Sequence, residues 1–522
     1  VIIHKESNSL LLRLQHPELV RKCIPNWSKD IDYEGHNIAV KFDLEVVKVL
    51  RNMGIRAPMP IRYHYHWPRP ANFKLVFEHQ IVTAEMLTLH NRMFVLNEMG
   101  TSKTASALWA ADYLQRNGFV GKVLIVAPLS TLELVWANEI FNVLMGSTYA
   151  VLHGSRAKRL EMLARPSQFY IINHEGLGII QREIQTRKDI TLIIVDESAA
   201  YRNSQTERYK ILKNTIQPWH RLWLVSGTPC PNDPTDAWAQ CRLVNPASVP
   251  QYFNAWKRQT MYQLTQYKWV ARPEAYEMAF NAMQPAVRFK KSECLDLPPV
   301  TYENRSTSVT TEQAAIYKEM KKEAAAEVAA GVPITAVNAA DKINKLRQIL
   351  CGVVKDKDTD TYVEIPHQPR VTTLLETIEQ AAAKVLVIVP FKGIIQSLHR
   401  DVSKVWKCEV VNGDVTHTRR TAIFNQFKTD PDLKLLLCHP QVMAHGITAT
   451  EADMLIFYGP IYSNEQSQQV MERINRPGQT RKMTVVRIAA SPLEWGIYNM
   501  VEGRRMNQET ILEMYKKELQ SA

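Results

Sequence analysis

The chain has 522 residues, 45% of them hydrophobic and 22% charged, which is ordinary globular composition and excludes a collagen, a coiled coil or a disordered polymer. It is too long for a single hydrophobic core, so about three domains are expected. Lys+Arg exceed Asp+Glu by 64 − 52 = 12, an excess that suits a polyanionic partner and equally a solvated basic surface. Seven scattered cysteines without a CxxC pair oppose a disulfide framework or zinc ribbon. They fit a reducing, cytoplasmic setting. No apolar run approaches a membrane span. Val1–Leu12, interrupted by His4, Lys5 and Glu6, lacks the form of a secretory signal.

In chain order, residues 1–70 hold mixed short elements and the stretch Arg62–Pro70 (RYHYHWPRP), read as a small N-terminal accessory module. Aromatics interleaved with arginines suit base stacking, and they also suit packing of the module onto its neighbour. Continuous apolar runs follow at Lys122–Ala127, Phe169–Asn173, Leu192–Asp196 and Leu222–Ser226. A second group lies at Lys384–Val389, Lys434–Cys438, Met454–Tyr458 and Thr484–Ile488. Such runs predict strands buried on both faces. Helix-forming segments such as Thr104–Arg116, Arg156–Ala164 and Val371–Ala383 separate them, an alternation that predicts an α/β fold with parallel sheets. The expected division is 71–235 for a first lobe, 236–370 for a helical insertion, 371–500 for a second lobe and 501–522 for a helical tail. Within the insertion, Ala314–Ala330 is rich in Ala, Glu and Lys and predicts a helix.

Four segments carry candidate chemistry. Asn97–Thr104 (NEMGTSKT) lies between an apolar run and a helix. A phosphate cradle needs converging backbone N–H groups at a helix N-terminus, a lysine and a hydroxyl for Mg²⁺. Gly100, Lys103 and Thr104 supply these, while Asn97 and Ser102 stand where glycines are usual. Val195–Ser198 (VDES) ends a strand 196 − 103 = 93 residues beyond the lysine. There one carboxylate can hold a metal and its neighbour can position water; a pair of loop carboxylates is the plainer alternative. Leu224–Asn232 (LVSGTPCPN) is a strand end with a hydroxyl-rich turn, or simply a Gly-Thr-Pro turn. Gln469–Gln479 (QVMERINRPGQ) carries Arg473 and Arg476 three apart, which on a helix places both on one side. They could neutralise charge on a transferring phosphoryl group, or belong to a solvated basic helix.

In this order and spacing the segments resemble the Swi/Snf-type branch of superfamily-two helicase-like DNA-dependent ATPases, of a small bacterial or phage, annealing-helicase-like type. The likeness runs from about Phe77 to Gly478. NEMGTSKT is similar to the family's DEMGxGKT, and VDESAAYRN to its DExH-R-x-K-N pattern, with Asn203 matching. Val126–Glu139 is similar to APxSLxxNWxxE through Pro128, Trp136 and Glu139. Leu297–Pro299, Leu346–Gln348 with Cys351, Gly413–Arg419, HGITAT and the RxxRxGQ at Arg473–Gln479 match as well.

The resemblance implies two RecA-like lobes in tandem, helical insertions between them, and hydrolysis of ATP with Mg²⁺. By the same resemblance, Gln80 contacts the adenine, while Gly100, Thr101, Ser102, Lys103 and Thr104 bind phosphates. Thr104 and Asp196 hold the metal, Glu197 activates water, and Arg473 and Arg476 are arginine fingers with Gln479 beside them. Gly227, Thr228 and Gly446 couple hydrolysis to movement; Ala199 replaces the usual histidine, so its coupling role is absent or moved. The implied partner is double-stranded DNA, linear or branched, gripped through phosphates. Candidate contacts are Lys290, Lys291, the helix of Lys318, Lys321 and Lys322, and Lys342, Lys345 and Arg347. A solvated helix face is the alternative for each. The expected protein is a monomeric, membrane-free translocase acting on forks, junctions or protein–DNA complexes. A strand-separating DNA or RNA helicase and a decayed, non-catalytic DNA-binding protein are the other readings.

Overall fold

The computed structural model describes residues 1–69, 75–230, 233–264, 269–294, 297–329, 336–355, 361–443, 448–476, 478–503, 514 and 518. The chain divides into two units, Val1–Cys294 and Leu295–Ala522.

The first unit opens with a four-stranded antiparallel sheet of β1 (Ile2–His4), β2 (Ser9–Leu12), β3 (Ser28–Tyr33) and β4 (His36–Lys41), in the order β1-β2-β4-β3. The helix Leu44–Asn52 follows, started by Asp43, whose carboxylate accepts from Val46 N at 3.0 Å. Leu10, Leu12, Ile38 and Leu50 belong to the same continuous core as Leu108, Ile125 and Trp223, so packing does not break near residue 70. The aromatic stretch is part of that joint. Tyr65 donates to Asp112 Oδ2 at 2.6 Å, the Trp109 indole donates to Pro68 O at 2.7 Å, and Trp67 meets Trp109 edge to face. Packing therefore accounts for Tyr65 and Trp67, whereas Tyr63 remains 52% exposed.

The main sheet of this unit contains β5 (Arg92–Val95), β6 (Lys122–Ala127), β7 (Tyr149–Leu152), β8 (Phe169–Asn173), β9 (Ile190–Asp196) and β10 (Arg221–Val225). After a short hairpin of β11 (Met261–Gln263) and β12 (Trp269–Ala271), the two-residue β13 (Ala286–Val287) completes it. Its order is β13-β5-β10-β9-β6-β8-β7, and every pairing is parallel. The central strands are apolar throughout because helices cover both faces.

The second unit holds a six-stranded parallel sheet built from β14 (Val300–Ser306), β17 (Lys384–Ile388), β18 (Cys408–Val411), β19 (Leu435–Cys438), β20 (Ala452–Phe457) and β21 (Met483–Ala489). A separate hairpin pairs β15 (Val353–Lys355) with β16 (Tyr362–Glu364). The large sheet runs β14-β21-β20-β17-β19-β18. Each unit is thus an α/β lobe with a parallel sheet, as two RecA-like lobes require. The segment 236–370 is not purely helical: β13 extends the first sheet and β14 the second. All seven cysteines are free thiols, and no helix among the described residues is long and apolar enough to cross a membrane.

Candidate active site

The motif-bearing loops of the first unit leave the C-terminal ends of parallel strands, at Val95, Ala127, Asp196 and Val225, the end at which α/β sheets bind ligands. The loop after β5 is held by the segment that follows β13. Leu96 N donates to Val287 O at 2.8 Å and Glu98 N to Phe289 O at 3.0 Å. In return, Phe289 N donates to Asn97 Oδ1 at 3.0 Å and Lys291 N to Glu98 Oε2 at 2.9 Å. Asn97, 1% exposed, also donates to Thr83 Oγ1 at 2.8 Å. At the position where a glycine is usual, it clamps three segments together.

Gly100 and Ser102 both adopt left-handed backbone, with φ of 80° and 56°. Glycine does so freely, whereas a residue with a Cβ is disfavoured there by about 1–2 kcal/mol. Thr101 closes the turn by donating to Glu98 O at 2.8 Å, and a His79 ring nitrogen sits 3.1 Å from Thr101 O. Lys103 and Thr104 begin the helix Lys103–Arg116. The Lys103 ammonium donates to Asn97 O at 3.0 Å and Glu98 O at 3.1 Å. Gly227 lies against this loop: a Cβ there would meet Met99 N at 3.2 Å and Lys103 Nζ at 3.5 Å. Gln80 is buried, its amide oxygen accepting from Phe77 N at 3.0 Å, and the Phe77 ring stacks on His79.

Asp196 accepts from the Trp136 indole N–H at 3.0 Å through one oxygen and from Glu197 N at 3.1 Å through the other. Burial pushes its pKa above the ordinary carboxylate range, against the Trp136 hydrogen bond and the Lys103 charge. Glu197 follows with φ of 49°, and Ser198 turns inward. The Ser198 hydroxyl donates to Gln240 Oε1 at 2.9 Å, and Gln240 Nε2 donates to Pro229 O at 2.7 Å and Asp236 O at 3.1 Å. Ser198 and Gln240 are both fully buried. A connected path therefore links the acidic pair to the SGTP turn. In that turn the Thr228 hydroxyl is buried without a hydrogen-bond partner among the described residues.

Thr104 and Asp196 offer the oxygen donors that Mg²⁺ prefers. No cluster of three or more His, Cys, Asp or Glu forms a cation cage among the described residues.

In the second unit the helix Asn464–Ile474 carries Arg473 in its last turn. Arg476 lies beyond it, so the expected pair on one helical side does not form. Arg476 precedes Pro477, and a residue before proline is kept from helical backbone. Arg476 Nη1 donates to Thr448 Oγ1 at 2.9 Å. Gln479, 5% exposed, donates to Ala452 O at 2.8 Å and accepts from Arg481 N at 2.9 Å, so its amide braces the turn. Gly446 lies outside the described residues.

The proposed DNA contacts separate by burial. Lys290, Lys318 and Lys322 are exposed, while Lys342 and Lys345 are half-buried, Lys345 pairing with Asp341 at 2.9 Å. Lys291 is buried, and so is Lys321, which pairs with Glu518 at 3.0 Å. Arg347, 3% exposed, sits 4.2 Å over the Tyr462 ring and donates to Pro460 O. Burial removes Lys291, Lys321 and Arg347 from the exposed grip expected of them. Trp136 and Gln240, which hydrogen-bond Asp196 and Ser198, are the positions at the candidate site that sequence reasoning underread. Trp136 stood in a matched segment without a partner, and the only signal for Gln240 was a polar residue within the apolar helix Ala237–Val244.

A phosphate loop, a strand-end acidic pair and two parallel-sheet lobes define a helicase-like nucleotide hydrolase. The SNF2-related domain matches residues 78–359 and the helicase conserved C-terminal domain residues 369–478. The chain belongs to the SNF2-related family of helicase-like, DNA-dependent ATPases. It is 24% identical over 478 residues to putative protein p41 of Acyrthosiphon pisum secondary endosymbiont phage 1, covering 86% of this chain and 99% of that one. It is 24% identical over 461 residues to the mouse DNA annealing helicase and endonuclease ZRANB3, covering 80% of this chain but only 39% of the relative's length. A solved Sulfolobus solfataricus SWI2/SNF2 ATPase core in complex with dsDNA aligns at 20% identity and a TM-score of 0.41, over 84% of this chain and 94% of that one.

Proposed function

We propose that this ATPase is a motor that translocates along double-stranded DNA and acts on forks, junctions or protein–DNA complexes. The observation that carries the reading is the convergence of Lys103, Gly227 and the linked Asp196–Glu197–Ser198 segment at the strand ends of one α/β unit. Lys103, which lies on two loop carbonyls, is the cation for the terminal phosphates of ATP. Glu197 orients and deprotonates the attacking water. Thr104 and Asp196 would hold Mg²⁺, which neutralises charge on the phosphates when bound. Arg473 and Arg476 are the guanidiniums proposed to stabilise the transferring phosphoryl group. The Ser198–Gln240–Pro229 path is the proposed substitute for the histidine that Ala199 replaces.

The test is ATP turnover measured in parallel with single-stranded, duplex and branched DNA and with RNA, together with displacement of a third strand from a DNA triplex. Duplex DNA should raise turnover steeply and ATP should drive displacement. Glu197→Gln should bind ATP yet lose turnover. Unstimulated turnover, or stimulation by RNA alone, would exclude this function.

A further inference from the structure

A second basic feature lies at the other end of the first sheet. A cleft of about 710 Å³ is lined by Lys48, Arg51 and Arg56, by His90 and Asn91 ahead of β5, and by Asn52 at the rim. His90 and Asn91 precede β5, whereas the phosphate loop follows it, so the cleft sits at the opposite strand ends from the nucleotide site. None of its lining residues is a carboxylate. Among the described residues, Lys48, Arg51 and Arg56 make no ion pair, and the Lys48 ammonium lies 5.8 Å from the Phe119 ring. Arg51 instead donates to Ala57 O at 3.0 Å, which fixes its side chain beside the loop that carries Arg56.

The positive charge of the cluster is only partly offset. Burial, with Arg221 beside it, pulls the Lys48 ammonium down to about 8, and Glu45 on the same helix opposes this only in part. Burial and the charges of Lys48 and Arg51 also lower His90. Arg221, which begins β10, has a buried guanidinium nitrogen without a hydrogen-bond partner among the described residues. Like charges gathered at reduced dielectric repel one another, and a bound anion reverses the sign of that interaction. The cleft is larger than one phosphate needs, and exposed Arg56, Asn52 and Asn91 form its mouth. That shape suits a chain of phosphates entering from solvent.

We propose that the Lys48–Arg51–Arg56–His90 cleft binds the phosphodiester backbone of a nucleic-acid strand, as an anchor separate from the motor's ATP-driven grip. The proposal rests on the DNA reading above. The test uses the full chain and compares wild type with Arg56→Glu, an exposed site, and with Lys48→Gln/Arg56→Glu. Affinity for duplex and forked DNA is measured by fluorescence anisotropy across a salt series, and melting temperature and DNA-free ATP turnover are recorded as controls. Arg56→Glu should weaken DNA binding about tenfold and lessen the log–log salt slope by about 1 for each phosphate that is no longer neutralised. DNA-free turnover and melting should stay at wild-type values.

Unaltered affinity and slope in both variants, with wild type binding DNA normally, would overturn the cleft while leaving the translocase reading intact. A wild type that binds no DNA would overturn both. Pyrophosphate that binds in a manner abolished by Arg56→Glu, while DNA affinity is unchanged in that variant, would show a free-phosphate site and overturn the strand assignment.

Discussion

Replacing Gln240 by Leu tests whether the acidic pair and the SGTP turn are joined through a side chain. Gln240 is fully buried, accepts the Ser198 hydroxyl and donates to Pro229 O. Leucine fills similar space but leaves both groups unmet inside the protein. Each unmet buried group costs about 1–3 kcal/mol, so Gln240→Leu should cost about 2–6 kcal/mol. Ser198→Ala strands only the Gln240 carbonyl and should cost about 1–3 kcal/mol. In the double variant the unmet Ser198 hydroxyl and Gln240 carbonyl are removed together and what is lost is the Gln240 amide's donation to Pro229 O and Asp236 O, so the summed single costs should exceed the double by about 2–6 kcal/mol. The assay is a double-mutant cycle in chemical unfolding of the first-unit transition, combined with DNA-stimulated ATP turnover. A loss of alignment corresponding to about 1.4 kcal/mol lowers kcat about tenfold, with KM for ATP nearly unchanged. Single costs that add to within about 0.5 kcal/mol, or kcat and KM moving together, would refute the link.

Ser102→Gly should relieve a left-handed strain of about 1–2 kcal/mol against an unfolded-state entropy cost of about 0.5–1 kcal/mol. The net should be neutral to mildly stabilising by thermal melting, and a loss above about 1 kcal/mol would show that the serine side chain matters more than its backbone. Trp136→Phe removes a donor to Asp196. The folded pKa of Asp196 is raised, so ionising this carboxylate in the folded protein costs stability as pH rises from its unfolded value through its folded one. Losing the indole raises it further. The acid limb of the ATPase pH profile should therefore move to higher pH; an unmoved limb would remove Trp136 from this role.

Much of the frame was legible in the sequence because parallel-sheet strands are written as unbroken apolar runs, and Lys103, Thr104, Asp196 and Glu197 flank such runs. What escaped depends on residues far apart in the chain. Asn97 reads as a lapse from the glycine pattern until Thr83 and Phe289 are seen on either side of its amide. Arg347 reads as a phosphate ligand until Tyr462 and Pro460 enclose it. The helical spacing of Arg473 and Arg476 ignored the veto that Pro477 places on the residue before it. The boundary drawn at residue 70 followed composition, whereas Tyr65 and Trp67 continue the core of the first lobe through Asp112 and Trp109.

The hydrogen bond from the Lys291 backbone N–H to the Glu98 carboxylate ties the end of the first unit to the loop after β5. The second unit begins at Leu295, only 295 − 291 = 4 residues further along the chain. A pull on that short tether would be felt first at Lys291 and Phe289, and so at Glu98 and Asn97, whose carbonyls hold the Lys103 ammonium. The connection would then act as a lever whose short arm ends on Lys103, the lysine proposed to meet the nucleotide.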